Sequence, residues 1–300
     1  MRRALVFAAF VLTLGAAAVR AQNLVANPHF STGSVSPWNG FGLVFDSTRD
    51  ATGDGVGSGP STIGYNQGSY GVYQPCIGGI SAGEQFSFGG KILYPAASSG
   101  SSAGYRVQWF SGPNCDTFLS DAGTTRPDAG TSPIGSWMAL SETATAPPGA
   151  QSLLFVGDIF NAQAPPFKVN YDDIFLYPVC TRNATTGCLV GGRFQVTVDY
   201  TSQNSGSGAA QVMQFNGQRA EDDESVFWWF FSPTNFEMGL KILNGCPVNQ
   251  HFWVFISGLT NQGWTVHIKD TQTGTIASTS NPIGRLTPTI AATVSPLTCP

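Results

Sequence analysis

Glu84-Gln-Phe-Ser-Phe-Gly-Gly-Lys-Ile-Leu-Tyr94 and Tyr105-Arg-Val-Gln-Trp109 decide the fold class. In the first, Phe86, Phe88, Ile92 and Tyr94 fall on one side of an extended chain, with Gln85, Ser87 and Lys91 on the other. In the second, Tyr105, Val107 and Trp109 oppose Arg106 and Gln108. Successive side chains of an extended chain point to opposite sides, so a two-residue period marks a strand with one buried face. Leu153 to Phe160 and Val169 to Tyr177 are more continuously apolar, the pattern of strands covered on both faces. Pro95 to Gly104 and Ser111 to Pro133, rich in small and turn-forming residues, read as loops. No stretch carries a capped, 3.6-residue apolar stripe.

Beyond this region, Pro178 to Gly192 reads as a boundary, with a proline, a close Cys180/Cys188 pair and Gly191-Gly192. A new set of strands follows: Arg193–Tyr200, which alternates Phe194, Val196 and Val198 against Gln195, Thr197 and Asp199, then Ala209–Phe215, Ser225–Phe231, Phe236–Leu243, His251–Ser257 and Gly263–Asp270. Asp270-Thr-Gln-Thr-Gly274 is a hairpin signal. The composition agrees. Of 300 residues, 36 are Gly and 19 Pro, and only 11% are charged against 42% hydrophobic. Average usage is about 25% charged, so the chain is too charge-poor for a coiled coil and too apolar for disorder. The expectation is an all-β chain of two β-sandwich domains, residues 22–178 and 179–300, after an N-terminal signal peptide at 1–21.

The leader is read from Arg2 and Arg3, the apolar run Ala4–Ala18 and the small residues of Val19-Arg20-Ala21. Its removal takes three of the 14 basic residues and none of the 18 acidic ones, leaving a net charge of −7. That balance argues against a nucleic-acid partner, and no later run is long enough to span a membrane. The expected location is secreted, extracellular or periplasmic. Six cysteines in an exported chain favour disulfides, and none has a CxxC partner or a His at zinc-ligand spacing. Sequence order and the domain division suggest Cys76–Cys115, Cys180–Cys188 and Cys246–Cys299.

Asn23-Leu-Val-Ala-Asn27-Pro-His-Phe30-Ser-Thr-Gly33, with Trp38 following, resembles the opening signature of family 4/9 carbohydrate-binding modules. Val169-Asn-Tyr-Asp172-Asp173-Ile-Phe-Leu176 is similar to their closing strand, and Gly135-Ser-Trp137 with Ala146-Pro-Pro-Gly149 to their penultimate hairpin. The resemblance spans about 155 residues and implies a jelly roll that binds a glycan on a concave sheet face or at a sandwich edge. It also implies core roles for Trp38 and Trp137, and possession of one structural calcium held partly by Asp172 or Asp173. In this chain Ser31 and His29 stand where that calcium site would carry acidic residues, and no other cofactor is expected. Cys188-Leu-Val-Gly-Gly-Arg193-Phe-Gln-Val-Thr-Val198, with His251-Phe-Trp-Val-Phe255 and Asp270–Gly274, resembles an exported bacterial β module of uncertain role.

Sugar recognition needs flat rings for C–H faces and amides, carboxylates or guanidinium groups for hydroxyls. Tyr65, Tyr73, Arg106, Gln108 and Trp109 are the candidate ligand-binding residues, and Gln85 and Lys91 would line the same polar face as Arg106 and Gln108. The acidic run Glu221–Glu224 reads as a solvated turn. No HExxH, GxSxG, Walker or dinucleotide motif is present. The sequence therefore favours a non-catalytic protein that binds a polysaccharide or other glycan. The alternatives are an extracellular structural or adhesive protein without a sugar site, or a polysaccharide hydrolase or its accessory subunit, whose two carboxylates sequence alone would not reveal. Oligomeric state is left open.

Overall fold

A computed structural model describes residues 23–40, 42–53, 55–63, 69–160 and 167–299. The leader expected at 1–21 lies outside the described residues. The chain forms two compact units, one ending at Val179 and the other beginning at Cys180.

The first unit has, in chain order, β1 (Gly59–Ile63), β2 (Ser69–Tyr73), β3 (Ile77–Gly78), β4 (Gln85–Leu93), β5 (Ser102–Ser111), β6 (Thr117–Gly123), β7 (Met138–Thr145), β8 (Ser152–Phe160) and β9 (Phe167–Val179). One sheet runs β1-β9-β4-β7 and the other β2-β8-β5-β6, with β3 also on β8. Every pairing is antiparallel, and the first strand lies beside the last, as in a jelly roll. The inward residues of the two sheets meet as rings, Phe86 on Trp109 at 5.6 Å, Phe88 on Phe155 at 6.3 Å and Tyr171 on Tyr105 at 5.8 Å, while Tyr105 also packs on Phe155 of its own sheet at 5.8 Å. Gly157 makes room for this packing, because a Cβ there would lie 2.8 Å from the Tyr171 ring. Tyr171 then donates to the Asp158 carbonyl at 3.0 Å.

The second unit contains β10 (Gly187–Leu189), β11 (Phe194–Ser202), β12 (Gly206–Ala209), β13 (Gln211–Val212), β14 (Gln214–Phe215), β15 (Gln218–Arg219), β16 (Ser225–Trp229) and β17 (Met238–Asn244). After a helical turn, α1 (Cys246–Asn249), come β18 (Phe252–Gly258), β19 (Gly263–Asp270), β20 (Ile276–Asn281) and β21 (Ile290–Ala292). Its sheets run β10-β11-β19-β20, with β12 on β11, and β13-β16-β17-β18-β21. Val196, Val198, Val266 and Ile268 from the first share a core with Val226, Trp228, Leu240, Ile242, Val254 and Ile256 from the second. Disulfides join Cys76–Cys115, Cys180–Cys188 and Cys246–Cys299, each within one unit. No helix among the described residues is long and apolar enough to cross a membrane.

Two expectations need correction. Thr117–Gly123 is a strand, although Ser111–Pro133 reads as loop. It sits at a sheet edge with most side chains exposed, so burial imposes no alternation on it. Trp38 is buried, but Trp137, just before β7, is only half-buried and lies outside the core cluster.

The segment 46–58 is closed by paired backbone hydrogen bonds between Asp46 and Ser58. Burial raises the Asp46 carboxyl. Bonds from Thr48, the Asn170 amide and the Lys168 charge outweigh that and bring it down to about 2 from 3.8. A lowered folded value stabilises the protein above pH 3.8, and the gain is lost as pH falls through about 2. Asp46→Asn is therefore expected to cost about 2 kcal/mol at pH 7. The gap to wild type should close in acid, and urea unfolding at pH 7 and pH 2.5 checks the sign.

Candidate functional site

The site is built on the outer face of the β2-β8-β5-β6 sheet. Because Leu153, Phe155 and Ile159 of β8 point into the core, Ser152, Leu154, Val156, Asp158 and Phe160 point outward. On β5 the outward residues are Arg106, Gln108 and Phe110, set beside Val156, Leu154 and Ser152. Asp121 lies opposite Gln108 on β6, and Phe118 opposite Phe110. Asp158 is the hub of this face. Its carboxylate is 2% exposed and receives Arg106 Nη2 at 3.1 Å on one oxygen and Arg126 Nη2 at 2.7 Å on the other. Arg106 Nη1 also reaches Asp121 at 3.0 Å. Burial pushes the Asp158 carboxyl up, and the two guanidinium groups act against that rise.

Arg126 arrives from the turn after β6, and Gly104 lets that turn cross the sheet. A Cβ on Gly104 would stand 2.8 Å from Thr124 Oγ1 and 2.9 Å from the Thr125 carbonyl. The Arg126 guanidinium then lies 5.6 Å from the centre of the Phe160 ring, which is 54% exposed. At the other end of β8, Phe110 and Phe118 meet edge to face at 5.9 Å, with Phe118 52% exposed. Ser152 to Phe160 spans about 26 Å at ~3.3 Å per residue. The face is thus a strip with an open aromatic ring at each end and a fixed, charged middle.

Of the residues singled out from sequence, Arg106, Gln108 and Tyr73 fall on this strip; Tyr73 pairs with Val156 and is half-buried. Gln108 is buried in its floor. Trp109 is a correction: it points inward, 2% exposed, against Phe86, and presents no ring to a ligand. Tyr65 lies outside the described residues. The single polar face is a second correction. Gln85 and Lys91 are on β4, in the other sheet, so they and Arg106 lie on opposite outer faces of the sandwich. Sequence reasoning missed Asp158, Arg126, Phe118 and Phe160. Asp158, a lone carboxylate inside an apolar run, was the available signal.

Asp172 and Asp173 do not make a calcium site as they stand. Asp172 is fully buried; its carboxylate accepts the Ala51 N–H at 2.7 Å and the Asp173 N–H at 2.8 Å, and burial pushes it up to about 6. Both Asp173 oxygens face nitrogen, Lys91 Nζ at 2.9 Å and His29 Nδ1 at 3.3 Å. Calcium wants six to eight oxygens free to ligate it.

Three further side-chain arrangements stand apart from the strip. Phe175 and Tyr177 stack at 5.7 Å on β9, an aromatic pair on the opposite sheet. In the second unit, Ser278, His267 and Asp199 touch in series at 2.9 and 3.3 Å. They have the residue types of a hydrolytic triad. A triad carboxylate is buried to hold its imidazole, whereas the Asp199 side chain is 65% exposed on an open sheet face, so the trio is a cross-strand polar contact. Glu221 corrects the reading of Glu221–Glu224 as a solvated turn: its side chain is 1% exposed, held by Arg182 Nε at 2.6 Å and Arg219 Nη2 at 2.5 Å.

No family model matches the chain, and no curated protein matches it. Among solved structures, the CBM22-1–CBM22-2 tandem of Paenibacillus barcinonensis Xyn10C aligns over 92% of this chain and 87% of its own, at 15% identity and a TM-score of 0.41. The CBM22-1–GH10 modules of Clostridium thermocellum xylanase 10B, complexed with xylohexaose, align over 52% of this chain at 14% identity and a TM-score of 0.34. The enzymatically active domain of bacteriophage CBA120 tailspike protein 4 aligns over 52%, at 11% identity and a TM-score of 0.40. This chain spans only 21% of that tailspike chain and 28% of the xylanase chain. The carbohydrate-binding modules among these structures are of family 22, not family 4 or 9. Superpositions this loose leave the assignment of function to the side chains.

Proposed function

We propose that the first unit binds a glycan chain along the outer face of β2-β8-β5-β6, without catalysis, in a protein exported from the cytosol. The observation that carries this reading is the strip itself: open rings at Phe160 and Phe118, with the Arg106–Asp158–Arg126 cluster between them. Phe160 and Phe118 would take the C–H faces of two sugar units. Asp121, half-exposed, would accept hydroxyl protons, and the edges of Arg106 and Arg126 would donate to ring or hydroxyl oxygens. Asp158 holds both guanidinium groups in place before any ligand arrives, so little rotamer freedom remains to be lost on binding. Export is supported by three disulfides, which persist in oxidising compartments.

Affinity electrophoresis in soluble polysaccharides, followed by calorimetry with oligosaccharides of the retained polymer, tests the proposal on the full chain. Phe160→Ala and Phe118→Ala should each weaken binding about fivefold to tenfold, as loss of one aromatic contact of about 1 kcal/mol implies. Phe175→Ala, on the opposite face, should leave it unchanged. Retention that follows Phe175 and ignores Phe160 would move the site to the other sheet. No retention by any glycan would remove the reading.

A further inference from the structure

We propose that Lys91 is the built-in cation of the site formed by Asp172, Asp173, Ala51 and Thr52, and that its ammonium closes this site to divalent metal. A bulge sets the two carboxylates side by side. Between Lys91↔Asp172 and Gly89↔Phe175 the β4–β9 register slips, and Asp173 takes a positive φ of 49°. The slip leaves adjacent carboxylates at one point of the sheet, Asp172 buried and Asp173 half-exposed. Strand β4 supplies the counter-charge. Lys91 Nζ lies 2.9 Å from Asp173 Oδ2 and donates to the Ala51 carbonyl at 3.0 Å.

A side-chain carboxylate and a loop carbonyl are the oxygen donors a hard cation takes, and here one ammonium holds both. The same segment returns the contact, with the Ala51 N–H on Asp172 Oδ2 at 2.7 Å and Thr52 Oγ1 on Asp172 Oδ1 at 3.5 Å. His29 adds a second nitrogen on Asp173, at 3.3 Å, and meets Thr52 Oγ1 at 3.3 Å. Four pieces of chain therefore converge on two carboxylates: β4, β9, the 46–58 segment and the N-terminal stretch around His29. The Lys91 backbone is itself anchored, since its carbonyl accepts the buried Tyr105 hydroxyl at 2.8 Å. A divalent ion taking Asp173 Oδ2 and the Ala51 carbonyl would have to displace an ammonium already bonded to both. Removing the ammonium frees Asp173 Oδ2 and the Ala51 carbonyl, two oxygen donors of the kind calcium takes.

The test uses the full chain. Melting is recorded in EDTA and in millimolar calcium, and trypsin cleavage after Arg49 reports on the 46–58 segment directly. Wild type should melt at the same temperature in both buffers and resist cleavage. Lys91→Gln should melt lower in EDTA, with Arg49 cleavage about tenfold faster, the ratio expected for one lost charge-assisted hydrogen bond, and calcium should reverse both changes. Lys91→Arg should behave as wild type; Asp173→Asn should loosen the segment without recovery in calcium. The proposal is overturned by a wild type that EDTA destabilises and calcium restores, by a Lys91→Gln protein with wild-type melting and cleavage, or by a loosened Lys91→Gln protein that calcium fails to tighten. Should Lys91→Gln fail to fold in EDTA, folding in calcium alone supports the proposal and failure in both overturns it.

Discussion

Asp270→Ala is expected to cost the second unit about 3–5 kcal/mol, the penalty for stranding one partner of a buried ion pair. Asp270 is fully buried and Arg193 nearly so. The two meet as a fork, Nε to Oδ1 at 3.1 Å and Nη2 to Oδ2 at 2.7 Å. The Arg193 guanidinium also lies over Phe252 at 4.6 Å and Phe194 at 5.3 Å, and with its side chain only 7% exposed little water can soften loss of the carboxylate. Asp270 Oδ1 further caps the hairpin through the Gln272 N–H at 2.9 Å. Against a usual total of 5–15 kcal/mol, such a loss is most of the unit's stability. Calorimetry of the full chain should show the transition of the second unit lowered and that of the first unmoved. Replacing both partners, Arg193→Met with Asp270→Leu, should recover much of the loss, because two apolar side chains need no counter-charge. A cost below 1 kcal/mol for Asp270→Ala would mean that the pair is solvated.

Arg193 and Asp270 show how much the sequence could say. Each stood in a conspicuous stretch, one after Gly191-Gly192 and one opening a hairpin, yet 77 positions separate them. Only the pairing of Phe194 with Asp270 across β11 and β19 brings them together. The same division runs through the fold. Alternation is local, so the inward faces of β4, β5, β11 and β19 were legible from composition and period alone. Sheet membership is not local. β4 and β5 are consecutive strands of matching pattern that fold into opposite sheets, and this is why Lys91 and Arg106 looked like neighbours. Trp109 was legible and misassigned: the alternation that sent Arg106 outward sent Trp109 inward. Arg126 gave no signal at all, since its place over Phe160 depends on a turn crossing Gly104.

Loss of the Cys246–Cys299 bridge, by serine at both positions, is the other large effect expected, at about 4 kcal/mol. The bridge closes a sequence separation of 53, against 8 for Cys180–Cys188, and the entropy a cross-link removes from the unfolded chain grows with loop length. The smaller loop should be worth about 2.5 kcal/mol on the same model, so the two double-serine variants should rank in that order in urea. The C-terminal segment is also held without sulfur: Leu297 is fully buried, its carbonyl accepts the Phe252 N–H at 2.9 Å, and Arg193 Nη2 donates to the Thr298 carbonyl at 3.1 Å. Bridge and guanidinium thus restrain neighbouring residues of one tail, and restraints on shared atoms do not add. A double-mutant cycle between Cys246→Ser/Cys299→Ser and Arg193→Met should show a coupling of about 1 kcal/mol. Strict additivity would instead mean that the bridge and the Arg193 contact with Thr298 restrain the tail independently.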